Sequence, residues 1–268
     1  MTAVAPARDA IAAATDSLRA AGCETPRLDA ELLVAAAAGV ARLDLVADPD
    51  LGIEPAAART LMGWVRRRAR REPVAYILGY KHFRRLEVAV DSRVLVPRPE
   101  TELLVEVALE LAPPGARVHD VGTGSGSIAL ALKDERPDLT VSASDRSPVA
   151  VEVARRNAER LGLAVEVAVG TGLPAGEYDL VVANLPYVRD DEWEALAPEI
   201  RDYEPREALA AGAEGLDEIR ALMRDAPPGT LLALEHAPGQ AEAVREMLDG
   251  AETRADLAGR ERVTTGRA

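Results

Sequence analysis

The stretch "RVHDVGTGSGS", Arg117 to Ser127, decides the fold. A short strand-like run ends in glycines at 122, 124 and 126, and a helical pattern begins at Ser127. Residues without a Cβ let the backbone turn sharply and let a ligand approach main-chain N–H groups. The same strand-then-helix unit recurs downstream. "TVSASD" is followed by the helical "PVAVEVARRNAERLG", then come "AVEVAVG" and "YDLVVANLPY". Later come a helix near 215–225, the strand "TLLALEHA", the helix "GQAEAVREMLD" and a final weak strand pattern. This alternation predicts an α/β fold with a parallel sheet covered by helices on both faces. Ligands on such sheets bind at the carboxyl ends of the strands, so the chemistry is expected just after each one.

Toward the amino terminus the period changes. Through the first eighty residues apolar positions recur at helical spacing, with helices expected from Ala10 to Leu18, from Thr25 as N-cap with Pro26 at the first position, and from about Pro55 to Arg71. Next, "FRRLEVAVDSRVLV" alternates apolar and polar residues about a polar "DSR", which predicts a β-hairpin turning there. "PRPETELLVEVALELAPPG" then restarts a helix between proline stops. The expected organisation is a helical domain over residues 1–80 and a hairpin linker with the α/β domain over 81–268.

Composition bounds the function. A chain of 268 residues, 48% hydrophobic and 29% charged, buries a real core, and no apolar run reaches the length of a membrane span. The first twenty residues lack a secretory h-region and Cys23 is the single cysteine, so a cytoplasmic setting is expected and Cys23 is read as a small buried residue. A net charge of −13 repels polyanions, which argues against nucleic acid as partner. The five arginines between Arg66 and Arg71 are the local exception, read as a solvated helix face. His82, His119 and His236 lack metal-ligand spacing, so no metal site is expected.

The strand ends carry the chemistry. Asp145, which ends the second strand of the α/β domain, can accept both hydroxyls of a ribose. A dinucleotide motif calls for glycine where Ser127 stands, so the loop suits a different nucleoside cofactor. The fourth strand runs into Asn184-Leu185-Pro186-Tyr187. An amide or aromatic amine nitrogen is a poor nucleophile because its lone pair is delocalised. It must be held by its hydrogens, and the Asn184 side-chain oxygen with a backbone carbonyl beside Pro186 can do so. Pro186 stiffens the turn, and Tyr187 offers a flat face and a hydroxyl. Adenine, cytosine and a glutamine side chain all satisfy this motif.

The D-x-G-x-G-x-G loop resembles that of class I, Rossmann-like S-adenosylmethionine methyltransferases. Nearly the whole chain is similar to the protein-(glutamine-N5) methyltransferases of peptide chain release factors, the PrmC or HemK family. The resemblance rests on "REPVAYILG" (71–79), "VLVPRPETELLVE" (94–106), "YEPREALAAGAEGLDEIR" (203–220) and "DLAGRERV" (256–263). It implies methylation of the glutamine amide in the Gly-Gly-Gln motif of class I release factors, with the amino-terminal helices gripping that protein. Carried over by motif, Asp120, Gly122, Thr123, Gly124, Ser125, Gly126, Asp145, Thr171 and Asn184 hold S-adenosylmethionine. Asn184, Leu185, Pro186 and Tyr187 hold the glutamine, with Asn184, Pro186 and Tyr187 as the catalytic group. Thr101 and Glu102 are expected near the cofactor pocket. Leu185 departs from the family's proline and matches ribosomal RNA adenine dimethyltransferases, and Gly170 and Thr171 stand where relatives carry an acidic and a bulkier residue. Two alternatives therefore stand beside this reading: an adenine-N6 methyltransferase of RNA or DNA, and a non-catalytic S-adenosylmethionine-binding scaffold.

Overall fold

The computed structural model describes residues 5–268. The chain divides into two units, one of residues up to Gly79 joined by Ala197–Tyr203, the other Tyr80–Leu196 with Glu204–Ala268. The division falls one residue before the expected boundary. It also moves Ala197–Tyr203, expected within the α/β domain, into the helical unit.

The helical unit contains α1 (Ala7–Ala20), α2 (Pro26–Ala38), α3 (Arg42–Ala47), α4 (Pro55–Ala69), α5 (Val74–Leu78) and the short α9 (Pro198–Arg201). A two-residue strand pair, β1 (Ala5–Pro6) with β2 (Gly52–Ile53), departs from the all-helical expectation. Ile11, Leu18, Leu33, Leu45, Leu61 and Ile77 form its apolar core. Thr25 stands at the N-cap of α2, but its hydroxyl donates to Asp29 Oδ1 (2.9 Å) instead of accepting from a first-turn N–H. Cys23 is buried and its thiol donates to the Arg68 carbonyl (3.6 Å).

The arginine run corrects a second expectation. Arg68 is buried, its Nε donating to Asp29 Oδ2 (2.7 Å) and its Nη2 to Glu199 Oε1 (2.7 Å). Arg71 makes a two-pronged bond to the same Glu199 (2.8 and 2.5 Å), and Arg67 does likewise to Glu72 (2.8 and 2.5 Å). Three of the five guanidinium groups therefore face carboxylates of their own unit, and only part of the run is a solvated face. Burial by itself would raise the pKa of Glu199, but the hydrogen bonds from Arg71 and Arg68 outweigh it and hold the carboxyl below its ordinary value.

The second unit begins with a hairpin, β3 (Tyr80–Phe83) and β4 (Leu86–Ala89), which turns at Arg84-Arg85 and not at the expected "DSR". Alternation continues through both places, so period alone could not choose. Arg84 takes φ 52°, and it is anchored there by its N–H to Glu102 Oε1 (3.1 Å) and its guanidinium to Glu135 (2.7 and 2.9 Å). Asp91 closes a separate turn by accepting from the Arg93 N–H (3.0 Å).

Beyond it lie α6 (Thr101–Leu111), β5 (Arg117–Val121), α7 (Ser127–Glu135), β6 (Thr140–Asp145), α8 (Pro148–Leu161), β7 (Glu166–Val169) and β8 (Leu180–Ala183). They are followed by α10 (Asp217–Asp225), β9 (Leu231–Glu235), α11 (Ala241–Glu246), β10 (Asp249–Ala255) and β11 (Glu261–Arg267). Seven strands form one sheet in the order β10-β11-β9-β8-β5-β6-β7. The five from β5 to β9 run parallel. The final pattern resolves into two strands, and β11 enters antiparallel to both β9 and β10. The sheet is therefore mixed, because a short turn at Asp256–Arg260, held by the Asp256 carboxylate, can join only antiparallel neighbours. β8 is buried along its length, the mark of a central parallel strand covered on both faces. Val121, Val181, Leu232 and Leu234 pack one face against Ile219 and Leu222 of α10 and Val244 of α11. α6 packs on the opposite face, against β8, β9 and β11.

Candidate active site

Strand order reverses between β5 and β8, and such a switch point opens a crevice at the carboxyl ends of the strands. A cavity of about 210 Å³ lies there, lined by Gly122, Gly124, Asp145, Thr171, Asn184 and Leu185 among others. A smaller one of about 40 Å³ adjoins it, lined by Thr101, Gly122 to Ser125 and Asn184 among others. Asn184 belongs to both.

The glycine loop is fixed to the end of β6, since the N–H groups of Gly122 and Thr123 both donate to the Ser144 carbonyl (2.9 and 3.0 Å). Gly122 has φ +74°, and a Cβ there would stand 2.9 Å from Leu185 Cδ2. Gly126 caps α7 with φ +86°, where a Cβ would meet Leu130 at 3.0 Å. Leu185 is buried against this loop. Its isobutyl group thus packs as a wall of the cavity, which accounts for a residue other than proline at that turn.

Asp145 receives two backbone donors, Ser147 N–H to Oδ1 (2.8 Å) and Gly124 N–H to Oδ2 (2.9 Å). Each oxygen keeps a further lone pair, so the carboxylate is aimed yet can still accept a diol. Burial raises its pKa, and those two donors oppose the rise. Asp120 departs from the expectation of direct contact. It is fully buried beneath the loop, where Oδ2 accepts from the Thr123 hydroxyl (2.6 Å) and the Ala129 N–H (3.3 Å). Burial pushes its pKa up to about 7, and Oδ1 has no partner among the described residues. These features fit S-adenosylmethionine: a cradle that side chains would fill, an aimed carboxylate for the ribose and, beneath the loop, a buried carboxyl oxygen that no described residue satisfies.

Around the acceptor motif, Asn184 Nδ2 donates to Thr101 Oγ1 (3.0 Å), which leaves Oδ1 as the accepting end of the carboxamide. Leu185 and Pro186 line the larger cavity. Tyr187 lines neither cavity and is half-buried behind the turn, with its carbonyl held by Gln240 Nε2 (3.0 Å). Burial, with Glu235 adding to it, pushes the Tyr187 phenol up to about 12, so it remains a neutral donor. Val188 is tied to Leu209 and Ala211 by main-chain bonds (2.8 and 2.9 Å), which fixes the exit of the motif. Thr101 reaches the smaller cavity as expected, whereas the Glu102 carboxylate turns to the Arg84 N–H.

Several lining residues escaped the sequence reading. Leu95, Arg146, Glu207, Glu218 and Asp225 reach the larger cavity from loops and from α10, and only chain topology brings them there. Arg146 bridges Glu218 Oε1 (2.7 Å) and the Glu207 carbonyl (2.6 Å). Glu235, missed as well, carried a legible signal: a carboxylate ending the apolar run "TLLALEHA". His119 lies buried between Ser142 and Ser144 (2.8 and 2.9 Å), and burial lowers it to about 4, so it is a neutral packing residue. Among the described residues no group of three or more His, Cys, Asp or Glu is placed to hold a metal ion, and no helix is long and apolar enough to cross a membrane.

Comparison with known proteins shows the family. The PrmC N-terminal domain matches residues 9–79 and the methyltransferase small domain matches residues 99–201. Among solved structures, the hMettl16 catalytic domain in complex with the MAT2A 3′UTR hairpin 6 is similar in fold alone, at 15% identity and TM-score 0.55, over 72% of this chain and 80% of that one. A release factor glutamine methyltransferase of Geobacter sulfurreducens is 44% identical over 233 residues, 84% of this chain and 82% of that protein. Those of Caulobacter vibrioides (39% over 270 residues; 95% and 93%) and Pseudomonas aeruginosa (44% over 254 residues; 90% and 92%) cover still more. With identity of this level along nearly the whole length, the chain belongs to the family of release factor glutamine methyltransferases.

Proposed function

We propose that this chain methylates the N5 amide nitrogen of the glutamine in the Gly-Gly-Gln motif of class I release factors, with Asn184, Pro186 and Tyr187 forming the acceptor site. The observation that carries the assignment is the committed Asn184 carboxamide. Its nitrogen is spent on Thr101, so an accepting oxygen stands in the same cavity as the glycine loop and Asp145. Bound S-adenosylmethionine supplies an electrophilic methyl group on a sulfonium centre. Asn184 Oδ1 and a carbonyl at Leu185-Pro186 accept the two hydrogens of the glutamine NH2, which turns the nitrogen lone pair toward that methyl. Pro186 keeps the carbonyl from rotating away, and the buried wall at Leu185 excludes water. No strong base is required, because the amide proton is lost once nitrogen carries the methyl.

For the cofactor, Gly122, Gly124 and Asp145 line the larger cavity and Thr123 and Ser125 its smaller neighbour, and Thr171, which also lines the larger one, is assigned to the adenine. Asp120 and Gly126 act from behind, holding the loop and the start of α7. Asp145→Ala is expected to weaken S-adenosylmethionine binding by about 1.5–3 kcal/mol, the scale of a hydrogen bond to a charged group. Isothermal calorimetry showing unchanged affinity would remove Asp145 from the site.

The helical unit is assigned to gripping the release factor, so a whole class I factor should be methylated with a kcat/KM at least about tenfold above that of an excised Gly-Gly-Gln peptide, the range in which linked contacts act. Equal values for factor and peptide would refute the grip. Methylation of a class II factor at the same rate would remove the class I restriction. The adenine alternative suggested by Leu185 loses its ground, because the family similarity spans the chain while Leu185 is explained by packing on Gly122.

A further inference from the structure

The acceptor site depends on which way round the Asn184 carboxamide sits. Flipped by half a turn it would present an NH2 donor to a glutamine NH2, and the substrate would be repelled. The bond from Asn184 Nδ2 to Thr101 Oγ1 (3.0 Å) favours the productive orientation, but a threonine hydroxyl both donates and accepts. With its own proton free, Thr101 could instead donate to the Asn184 oxygen. What decides is where its own proton goes.

Glu235 ends β9, 1% exposed, and both its carboxyl oxygens lack a hydrogen-bond partner of ordinary geometry among the described residues. Orphaned buried carboxylate oxygens are rare enough to require a reason. β8 and β9 are parallel neighbours with Ala183 opposite Leu234, so Asn184 and Glu235, each one residue further, emerge side by side at the strand tips on the same face of the sheet. α6 lies over that face, and Thr101 is its first residue, 2% exposed. Burial raises the Glu235 pKa to about 7, and the neighbouring Thr101 hydroxyl is the largest influence opposing that rise.

Resting on the acceptor-site assignment above, we propose that Glu235 is a positioning residue that claims the Thr101 hydroxyl proton and so fixes the Asn184 carboxamide with its oxygen toward the substrate amide. The relay reads from the site inward: Asn184 Nδ2–H donates to Thr101 Oγ1, and Thr101 O–H donates to the carboxylate. Once ionised, above its raised pKa, the carboxylate accepts only, and in that state the direction cannot reverse. A glutamine in its place carries an NH2 that can donate to Thr101, which frees the threonine to donate to Asn184 and turn the carboxamide over. Glu235 touches neither cavity and is not itself a catalytic residue.

The test is a double-mutant cycle on the full chain, with release factor as acceptor and wild type as the control for the proposed function. If wild type leaves the factor unmethylated, the functional assignment fails and the cycle is not reached. Given wild-type activity, Glu235→Gln and Thr101→Val are each expected to lower kcat at least about tenfold, as misorientation does. S-adenosylmethionine Kd should stay within about twofold and thermal unfolding should remain cooperative. The double variant is expected to be no slower than Thr101→Val alone, because both cut one chain. Thr101→Ser, which keeps the hydroxyl, should recover most of what Thr101→Val loses. Independent, multiplying effects of the two substitutions would overturn the proposal, as would a wild-type kcat in Glu235→Gln. Should Glu235→Gln fail to fold, the contrast of Thr101→Val with Thr101→Ser decides, and equal rates for that pair refute the relay.

Discussion

Asn184→Ala is expected to reduce the rate of methyl transfer by about 10²–10³, the cost of removing one positioned polar group from an enzyme site. The reasoning begins with the acceptor. A glutamine amide has its lone pair spread over the carbonyl, so the enzyme gains rate by fixing the NH2 plane against the methyl donor. Only acceptors can fix it, and Asn184 supplies one from the carboxyl end of β8. Alanine removes that acceptor and also the Nδ2–H that donates to Thr101 Oγ1. The loss should appear in kcat, measured by single-turnover label transfer, with folding unchanged by circular dichroism. A variant retaining more than about a third of wild-type kcat would mean the amide is held elsewhere.

The second large effect belongs to stability. Glu199→Ala should cost about 3–5 kcal/mol in the helical unit, because it strips two guanidinium groups of their shared counter-ion while Arg68 stays buried. Such a cluster does not outperform a well-packed apolar one. It is costly to break because two guanidinium groups, one of them buried, are then left with the single carboxylate of Asp29. Trp64, packed against the core of this unit, reports its unfolding by fluorescence once Trp193 is replaced by Phe. A shift of the urea-derived stability below about 1 kcal/mol would show the cluster to be solvent-screened. The pH dependence has a definite sign. The folded pKa of Glu199 lies below its ordinary value of 4.5, so its contribution is complete above that value and disappears as the pH falls through the lower folded one. Wild type should therefore lose stability on acidification, and the alanine variant should lose less.

The strand tips were legible in the sequence because each apolar run ends in residues that combine a turn with groups able to hold a ligand. The alternate glycines, Asp145 and Asn184-Leu185-Pro186-Tyr187 all stand where the parallel sheet places a ligand. Long-range placement was harder to see. Nothing local says that Ala197–Tyr203 joins the amino-terminal helices, since the link is Glu199 meeting arginines 128 and 131 residues away in sequence. The same distance hid the ion pairs inside the arginine run. The hairpin was misplaced because period-2 alternation runs through both candidate turns, and the choice fell to anchors on α6 and α7 that reach Arg84. Asp120 was assigned to direct contact from its motif position, while its hydrogen bonds show that it braces the loop from beneath. Leu185 pointed to another substrate class as a tetrapeptide, and its meaning changed once Gly122 was seen against it.

The central claim, that the acceptor is a glutamine side-chain amide, is tested most directly by locating the methyl group. A class I release factor incubated with this enzyme and S-adenosylmethionine should yield, by tandem mass spectrometry, one added methyl on the glutamine of its Gly-Gly-Gln motif. A factor with alanine at that glutamine should yield none. A methyl on another residue, or transfer to RNA offered in parallel with none to the factor, would contradict the account.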